Sequence, residues 1–386
     1  MLSEISISHV RNIESASVQF GPKFNVFFGE NGSGKTSVIE SIYLLATAKS
    51  FRSNQIRKII NEHNQSLTVF GRISSLTETT KIGIEKSLDS NNIRINGKTI
   101  KVVSELAERL PVLVIEQDSH KLLESGPQWR RKFIDWGLFH VKHDFTYVWG
   151  SYSKSLKQRN ALLVQGASNE AIESWTEGLT EYGEMYSSMR EEYVEAIRPY
   201  FTKYVSALLN DNDFTLSYRR GWSKDISLKD YLKENIFKDR SNCRTNYGPH
   251  RADLVIRKKG KDARDNVSRG QQKLLVYALN LSQVSYLKDV SDKDTMLLLD
   301  DLGSELDLNH SSNLLSLLEQ SFGQVCITTA NLETIPLDNM DEVKLFHVKH
   351  GSITDKDVTL DNNNLDNVIL DKKSIEEINE LSINND

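Results

Sequence analysis

Apolar residues recur at two periods along this chain. From Ile5 to Phe20 they alternate with polar ones, and Phe24-Asn25-Val26-Phe27-Phe28 is a compact, mostly apolar run that stops at Gly29; both patterns predict β-strands. From Lys35 to Ala46 the period lengthens, with Val38, Ile39, Ile42 and Leu45 at helical spacing, so a strand, a glycine-rich turn and a helix follow one another. Leu67 to Ile73, Lys81 to Glu85 and Ile93 to Ile95 predict further strands, with Asn96-Gly97 closing a hairpin. Between about Gln128 and Asn210 the pattern turns helical. Ile172, Trp175, Leu179, Tyr182, Tyr186, Met189, Tyr193 and Ile197 step by three and four, the stripe of a long amphipathic helix expected to pack on a neighbour such as Ser151 to Gln165. Strands are predicted again at Leu254 to Lys258, Met296 to Leu299, Gln324 to Thr328 and Val343 to Val348, with a helix from Gln271 to about Leu287 among them. The expected architecture is therefore an α/β unit formed by residues 1–125 and 242–358, a helical insertion at 126–241, and a flexible polar tail over 359–386.

Composition adds limits. A chain of 386 residues exceeds what one core usually serves, and 38% hydrophobic with 26% charged residues is the balance of a globular protein. The net charge of −5 argues against a polyanion partner until it is partitioned: from Asp355 onward nine acids and three lysines carry −6, leaving +1 for everything before. Any phosphate backbone must then be held by local clusters such as Arg130-Arg131-Lys132, Arg219-Arg220 or Arg257-Lys258-Lys259-Gly260-Lys261, each of which is ordinarily a solvated surface. Cys243 and Cys326 lie far apart without ligand-like neighbours, and two buried free thiols are expected rather than a disulfide or zinc site. Met1 to Asn12 lacks the layout of a signal peptide, and no run approaches about 18 apolar residues, so a cytoplasmic chain without a membrane partner is expected.

Chemistry enters at Gly29-Glu30-Asn31-Gly32-Ser33-Gly34-Lys35-Thr36, which fits G-x-x-x-x-G-K-[ST], follows an apolar strand and opens a helix. The glycines let backbone N–H groups converge on phosphates at the positive end of the helix. Lys35 can reach the β- and γ-phosphates, and Thr36 can ligate Mg²⁺. A nucleoside triphosphate with Mg²⁺ is thus expected, and the resemblance given below implies ATP. Met296-Leu297-Leu298-Leu299-Asp300-Asp301 is an apolar strand delivering two carboxylates. Asp300 is expected to hold Mg²⁺, directly or through water, and Asp301 to orient or deprotonate the attacking water; the plain alternative is a strand ending in solvated acids. His250, after Gly248-Pro249, reads as a turn or packing residue rather than a catalytic one.

Val267-Ser268-Arg269-Gly270-Gln271-Gln272-Lys273, just before an amphipathic helix, resembles the signature motif of ABC-type ATPases, and Ser304-Glu305-Leu306-Asp307 resembles their D-loop. That resemblance implies that Ser268 and Gly270 act in trans, on the γ-phosphate bound to a second copy. Arg11-Asn12, Ser50-Phe51-Arg52, Gly126-Pro127 with Arg130 to Trp136, Lys157-Gln158-Arg159-Asn160 and Tyr247-Gly248-Pro249-His250-Arg251 together resemble the RecF family. The resemblance implies a Rad50/SMC head-like P-loop ATPase with an inserted helical arm, ATP-dependent homodimerisation on DNA, and weak DNA-stimulated ATP hydrolysis. It further implies action at single-strand/double-strand gap junctions during DNA replication and repair, with RecR, and through it RecO and RecA, as partners. The chain departs from the family pattern at Glu116-Gln117-Asp118, where a proline and a glutamate are usual, which leaves open whether Gln117 ligates the metal. Thr328-Thr329 occupies the place of the switch histidine of transporter ATPases and speaks against that class. A nuclease reading would need a Toprim-like acidic cluster after the last ATPase strand, and none is expected.

Overall fold

The computed structural model describes residues 1–74, 78–321, 323–337 and 340–356; the expected polar tail lies outside them. A six-stranded sheet at its centre runs in the order Ser352–Lys356, Val343–Lys349, Phe24–Phe28, Val325–Thr329, Met296–Leu299 and Val112–Ile115, parallel except for the first strand. The inner strands read as continuous apolar runs because both faces are covered. Phe24, Val26, Leu297, Leu299 and Ile327 point into one core, and Phe27, Leu298, Cys326 and Phe346 into the other. The first core holds the helix Arg269–Ser291 and the second holds the helix Lys35–Thr47.

Over the helix Lys35–Thr47 lies an antiparallel sheet in the order Ile13–Gln19, Leu2–Val10, Ser66–Ser74, Thr79–Ser87, Asn91–Ile95 and Lys98–Thr99. Ile5, Ile7, Leu67, Val69, Ile82 and Ile84 form its buried face. Asn96 and Gly97 both have positive φ (49° and 80°), the turn that matches strand twist in a two-residue hairpin. The alternating stretch from Ile5 to Phe20 is not one strand but a hairpin that reverses at Arg11-Asn12, with Val10 paired to Ile13 and Arg11 at φ 56°. Alternation alone does not reveal such a turn, because neither residue is a glycine or proline.

The inserted segment contains the helices Pro127–Val141, Phe145–Val164, Asn169–Leu209, Leu228–Glu234 and Ile236–Ser241. It is not purely helical: Phe214–Arg219 is a strand, paired antiparallel with Asp253–Lys258, to which the short strand Lys261–Asp262 adds. The 41-residue helix starts where Ser168 Oγ accepts from Ala171 N–H and ends at Asn210 in a left-handed conformation, φ 50°. Ile172, Leu179, Tyr186, Tyr193 and Ile197 of the predicted stripe are buried, Trp175, Tyr182 and Met189 half-buried, and the helix packs on Phe145–Val164 as expected. Its buried face also enters the core of Arg269–Ser291.

Several basic residues of this segment and of the strand it pairs with are engaged in ion pairs. Arg130, 3% exposed, pairs with Asp253 at 2.7 and 3.1 Å and donates to the carbonyls of Leu122, Leu123 and Ser125. Arg131 donates to Ala252 O. Arg159 pairs with Asp239 at 2.8 Å, both buried. Lys258 and Lys259 pair with Asp211 and Asp213. Cys326 is buried, whereas Cys243 is exposed rather than buried, at a left-handed turn position, φ 49°.

Candidate nucleotide-binding site

The apolar inner strand Phe24–Phe28 delivers the chain to Gly29 at its C-terminal end, and Gly34 caps the following helix at φ 118°, a conformation that favours glycine. At Gly29 a Cβ would stand 2.2 Å from Val348 O, so only glycine lets the loop pass the neighbouring strand. Lys35 Nζ donates to the carbonyls of Gly29 (2.7 Å) and Glu30 (2.8 Å), folding the loop around its own ammonium. Burial lowers the Lys35 pKa, and Asp301 and Asp300 pull it back.

Two strands away, Met296–Leu299 ends at the paired acids. Asp300 Oδ1 accepts from Thr36 Oγ1 at 3.0 Å and from Thr328 Oγ1 at 2.7 Å. Burial raises its pKa against those two hydrogen bonds. The next residue, Asp301, is left-handed (φ 58°), and its N–H donates to Thr328 Oγ1 at 2.8 Å. Its Oδ2 accepts from Gln117 Nε2 at 3.1 Å and from Ser304 Oγ at 2.6 Å. The two carboxylates thus face different partners, one the P-loop threonine and the other Gln117 with Ser304. Glu116, beside them, has its pKa pushed up to about 7, by burial first and then by the charges of Asp118 and Asp300.

These groups line a cleft of about 640 Å³ that includes Asn31, Gly32, Lys35, Thr36, Gln117, Asp300 and Asp301, large enough for a nucleotide. Thr36 and Asp300 present hard oxygen donors to one point, a donor set that suits Mg²⁺. Ser268 does not line this cleft. It caps the exposed start of Arg269–Ser291, its Oγ accepting from Gln271 N–H at 3.2 Å and its N–H donating to Gln271 Oε1 at 3.1 Å. His250 lies outside the cleft as well: Nε2 donates to Thr245 O and Nδ1 accepts from Tyr152 OH at 2.6 Å, with burial lowering its pKa to about 4.

Two short strings that carry no motif of their own prove to support the loop. Arg11, in the first hairpin turn, makes a two-pronged bond to Glu40 at 2.9 Å for each prong, and Glu40 is fully buried on the P-loop helix. Ser50 Oγ donates to the same carboxylate and Arg52 stands 3.9 Å from it. Asn12 Nδ2 donates to Gly32 O at 3.0 Å, while its Oδ1 accepts from Ser37 Oγ at 2.9 Å. A buried glutamate between two arginine-bearing turns has no local signature, since its partners lie 29 and 10 residues away.

The parallel sheet, the glycine loop between its strand and helix, and the acids at a neighbouring strand end define a P-loop ATPase head of the ABC type. The family model described as the RecF/RecN/SMC N terminal domain matches residues 1–354. Two proteins named DNA replication and repair protein RecF are each 38% identical: that of Stutzerimonas stutzeri over 92% of this chain and 97% of its own, and that of Shewanella frigidimarina over 92% and 99%. The chain belongs to the RecF family. A solved structure described as the recombination mediator protein RecF-ATPrS in the RecFOR pathway superposes with a TM-score of 0.81 at 25% identity, covering 92% of this chain and 98% of that one. An Smc head bound to the C-winged helix domain of ScpA shares the fold, with a TM-score of 0.57 at 15% identity over 93% and 98%. Among the described residues no helix is long and apolar enough to cross a membrane.

Proposed function

We propose that this chain is an ATP-dependent DNA-binding protein of recombinational repair and replication restart, acting in the cytoplasm, in which nucleotide serves as a binding switch. The observation that supports the reading is the Thr36–Asp300 contact in the cleft that Lys35, Gln117 and Asp301 also line. Lys35 and the loop N–H groups would hold the phosphates, and Thr36 and Asp300 would hold Mg²⁺, which would supply charge neutralisation there. Asp301, tethered by Gln117 and Ser304, orients the attacking water, and Ser268 of a second copy completes the site. Bound ATP then closes a homodimer on DNA at single-strand/double-strand junctions, and slow, DNA-stimulated hydrolysis releases it. RecR, and through it RecO and RecA, are the proposed partners, in keeping with the RecF relatives. Residues 1–125 and 242–358 act as the head and 126–241 as the arm.

The test is retention of gapped DNA by the full chain with ATP and Mg²⁺. Lys35→Met removes the loop's cation and is expected to lose both ATP binding and ATP-dependent retention while keeping its fold. A folded Lys35→Met chain that binds ATP normally refutes the assignment.

A further inference from the structure

On the outer face of the three-stranded sheet, away from the nucleotide cleft, a cavity of about 290 Å³ is lined by Arg130, Arg219, Asp253, Arg257, Asp262 and Arg264 among others. Four arginines against two aspartates leave an excess of two positive charges. The pairing shows where that excess sits. Arg130 and Asp253 neutralise each other in the cavity floor, with both carboxylate oxygens engaged. Arg264 does the same with Asp262 at 3.0 and 2.6 Å. Arg219, its side chain 67% exposed, reaches only the already committed Asp253 among the described residues, at 3.4 Å. Arg257 is exposed, and the structure shows no hydrogen bond or ion pair for it among the described residues. Strand register sets Arg219 opposite Asp253 and Arg257 opposite Thr215 and Asp262, so the two surplus guanidinium groups flank Val255 on one face.

A concave site with a buried, self-neutralised floor and two under-used guanidinium forks at its rim is an anion receptor, and planar multi-donor forks match a phosphate diester better than a single ammonium would. We propose that this cavity holds a backbone phosphate of bound DNA, with Arg219 and Arg257 as the contacting groups. The proposal rests on the DNA-binding reading above and adds the surface to it. The lining ends in the chain at Ala263 and Arg264, shortly before Ser268, which caps the next long helix and is proposed to meet the second nucleotide.

The experiment titrates fluorescent duplex DNA with the full chain, ATP and Mg²⁺ over a series of salt concentrations. Each phosphate contact contributes about 0.9 to the slope of log K against log salt. Arg219→Ala/Arg257→Ala is expected to make that slope shallower by about 0.9, the share of the one phosphate held, and Arg219→Lys/Arg257→Lys to keep most of it. Arg257→Glu, a single exposed change, is expected to weaken binding roughly tenfold or more at 0.1 M salt through lost attraction and added repulsion. Unchanged affinity and slope in the alanine and glutamate variants overturns the cavity assignment while leaving DNA binding itself standing. A wild-type chain that binds no duplex overturns both. Variants that lose binding to polyglutamate but not to DNA would assign the cavity to an acidic protein segment, and equally overturn it.

Discussion

Removing Arg11 tests whether the P-loop helix depends on a pair that the loop sequence does not contain. Glu40 is fully buried, while the Arg11 side chain is 21% exposed and supplies two bonds of 2.9 Å. Arg11→Ala leaves a buried carboxylate with Ser50 and a guanidinium at 3.9 Å as its remaining partners. Breaking a buried pair from one side costs about 3–5 kcal/mol, against about 0–1 for an exposed one. Arg52 can swing toward the acid, so the lower end, roughly 3 kcal/mol, is expected. With a urea slope near 3 kcal/mol per molar for a chain of this size, the unfolding midpoint should fall by about 1 M. Arg11→Ala/Glu40→Gln removes the stranded charge and keeps an acceptor for Ser50, so it should recover at least half of the loss. ATP affinity should drop with the single change, because Asn12 in the same turn holds Gly32 and Ser37. A midpoint shift below about a third of a molar would place the pair in the surface regime. A double variant no better than the single one would show that the stranded charge is not the cause.

Asp300→Asn should impair both ATP-dependent dimerisation and turnover, whereas Asp301→Asn should bind ATP and dimerise but hydrolyse about 10²–10⁴-fold more slowly in single turnover; equal behaviour of the two would dissolve the division of labour. Ser268→Arg should leave ATP binding by the monomer intact and block ATP-dependent dimerisation in sedimentation. Loss of both together would count against completion in trans. Glu116 has a folded pKa raised to about 7 from 4.5, so the native state holds a proton that the unfolded chain has released between those values. Its contribution to stability is therefore greatest below pH 4.5 and declines as pH rises to about 7. Glu116→Gln should flatten that part of the stability profile, measured by urea unfolding from pH 4.5 to 8, with Asp118, Asp300, Lys121 and Arg52 unchanged; an identical profile would contradict the burial argument.

Much of the head was legible because its signals are local. The apolar run before Gly29, the glycine spacing and the helical recurrence from Val38 to Leu45 lie within one short stretch, and Asp300-Asp301 announce themselves at the end of four apolar residues. The stripe from Ile172 to Ile197 was long enough for its period to decide. What escaped depends on distant partners. Val112–Ile115 is too short to show a period, yet it pairs along all of Met296–Leu299. Phe214–Arg219 looked like the end of a helical segment because its pairing strand begins at Asp253. Arg130, Arg159 and Glu40 have the sequence appearance of surface charges, and burial turns each into a packing element through acids or bases far along the chain.

One consequence follows from the two faces of the parallel sheet. The P-loop helix packs on one side and the helix begun by Ser268 on the other, so a stiff layer of backbone separates the nucleotide cleft from the segment proposed to meet a second copy's nucleotide. Two unlike surfaces that join copy to copy would ordinarily extend into a filament; a two-fold axis lets each copy give and receive at once, and growth stops at two. The proposed homodimer, with that symmetry, would have two equivalent positions for nucleotide. A mixed pair of a wild-type copy with a Ser268→Arg copy keeps one intact half-site contact and loses the other. ATP-dependent DNA retention by such mixed pairs would report whether one completed site suffices to keep the proposed dimer closed.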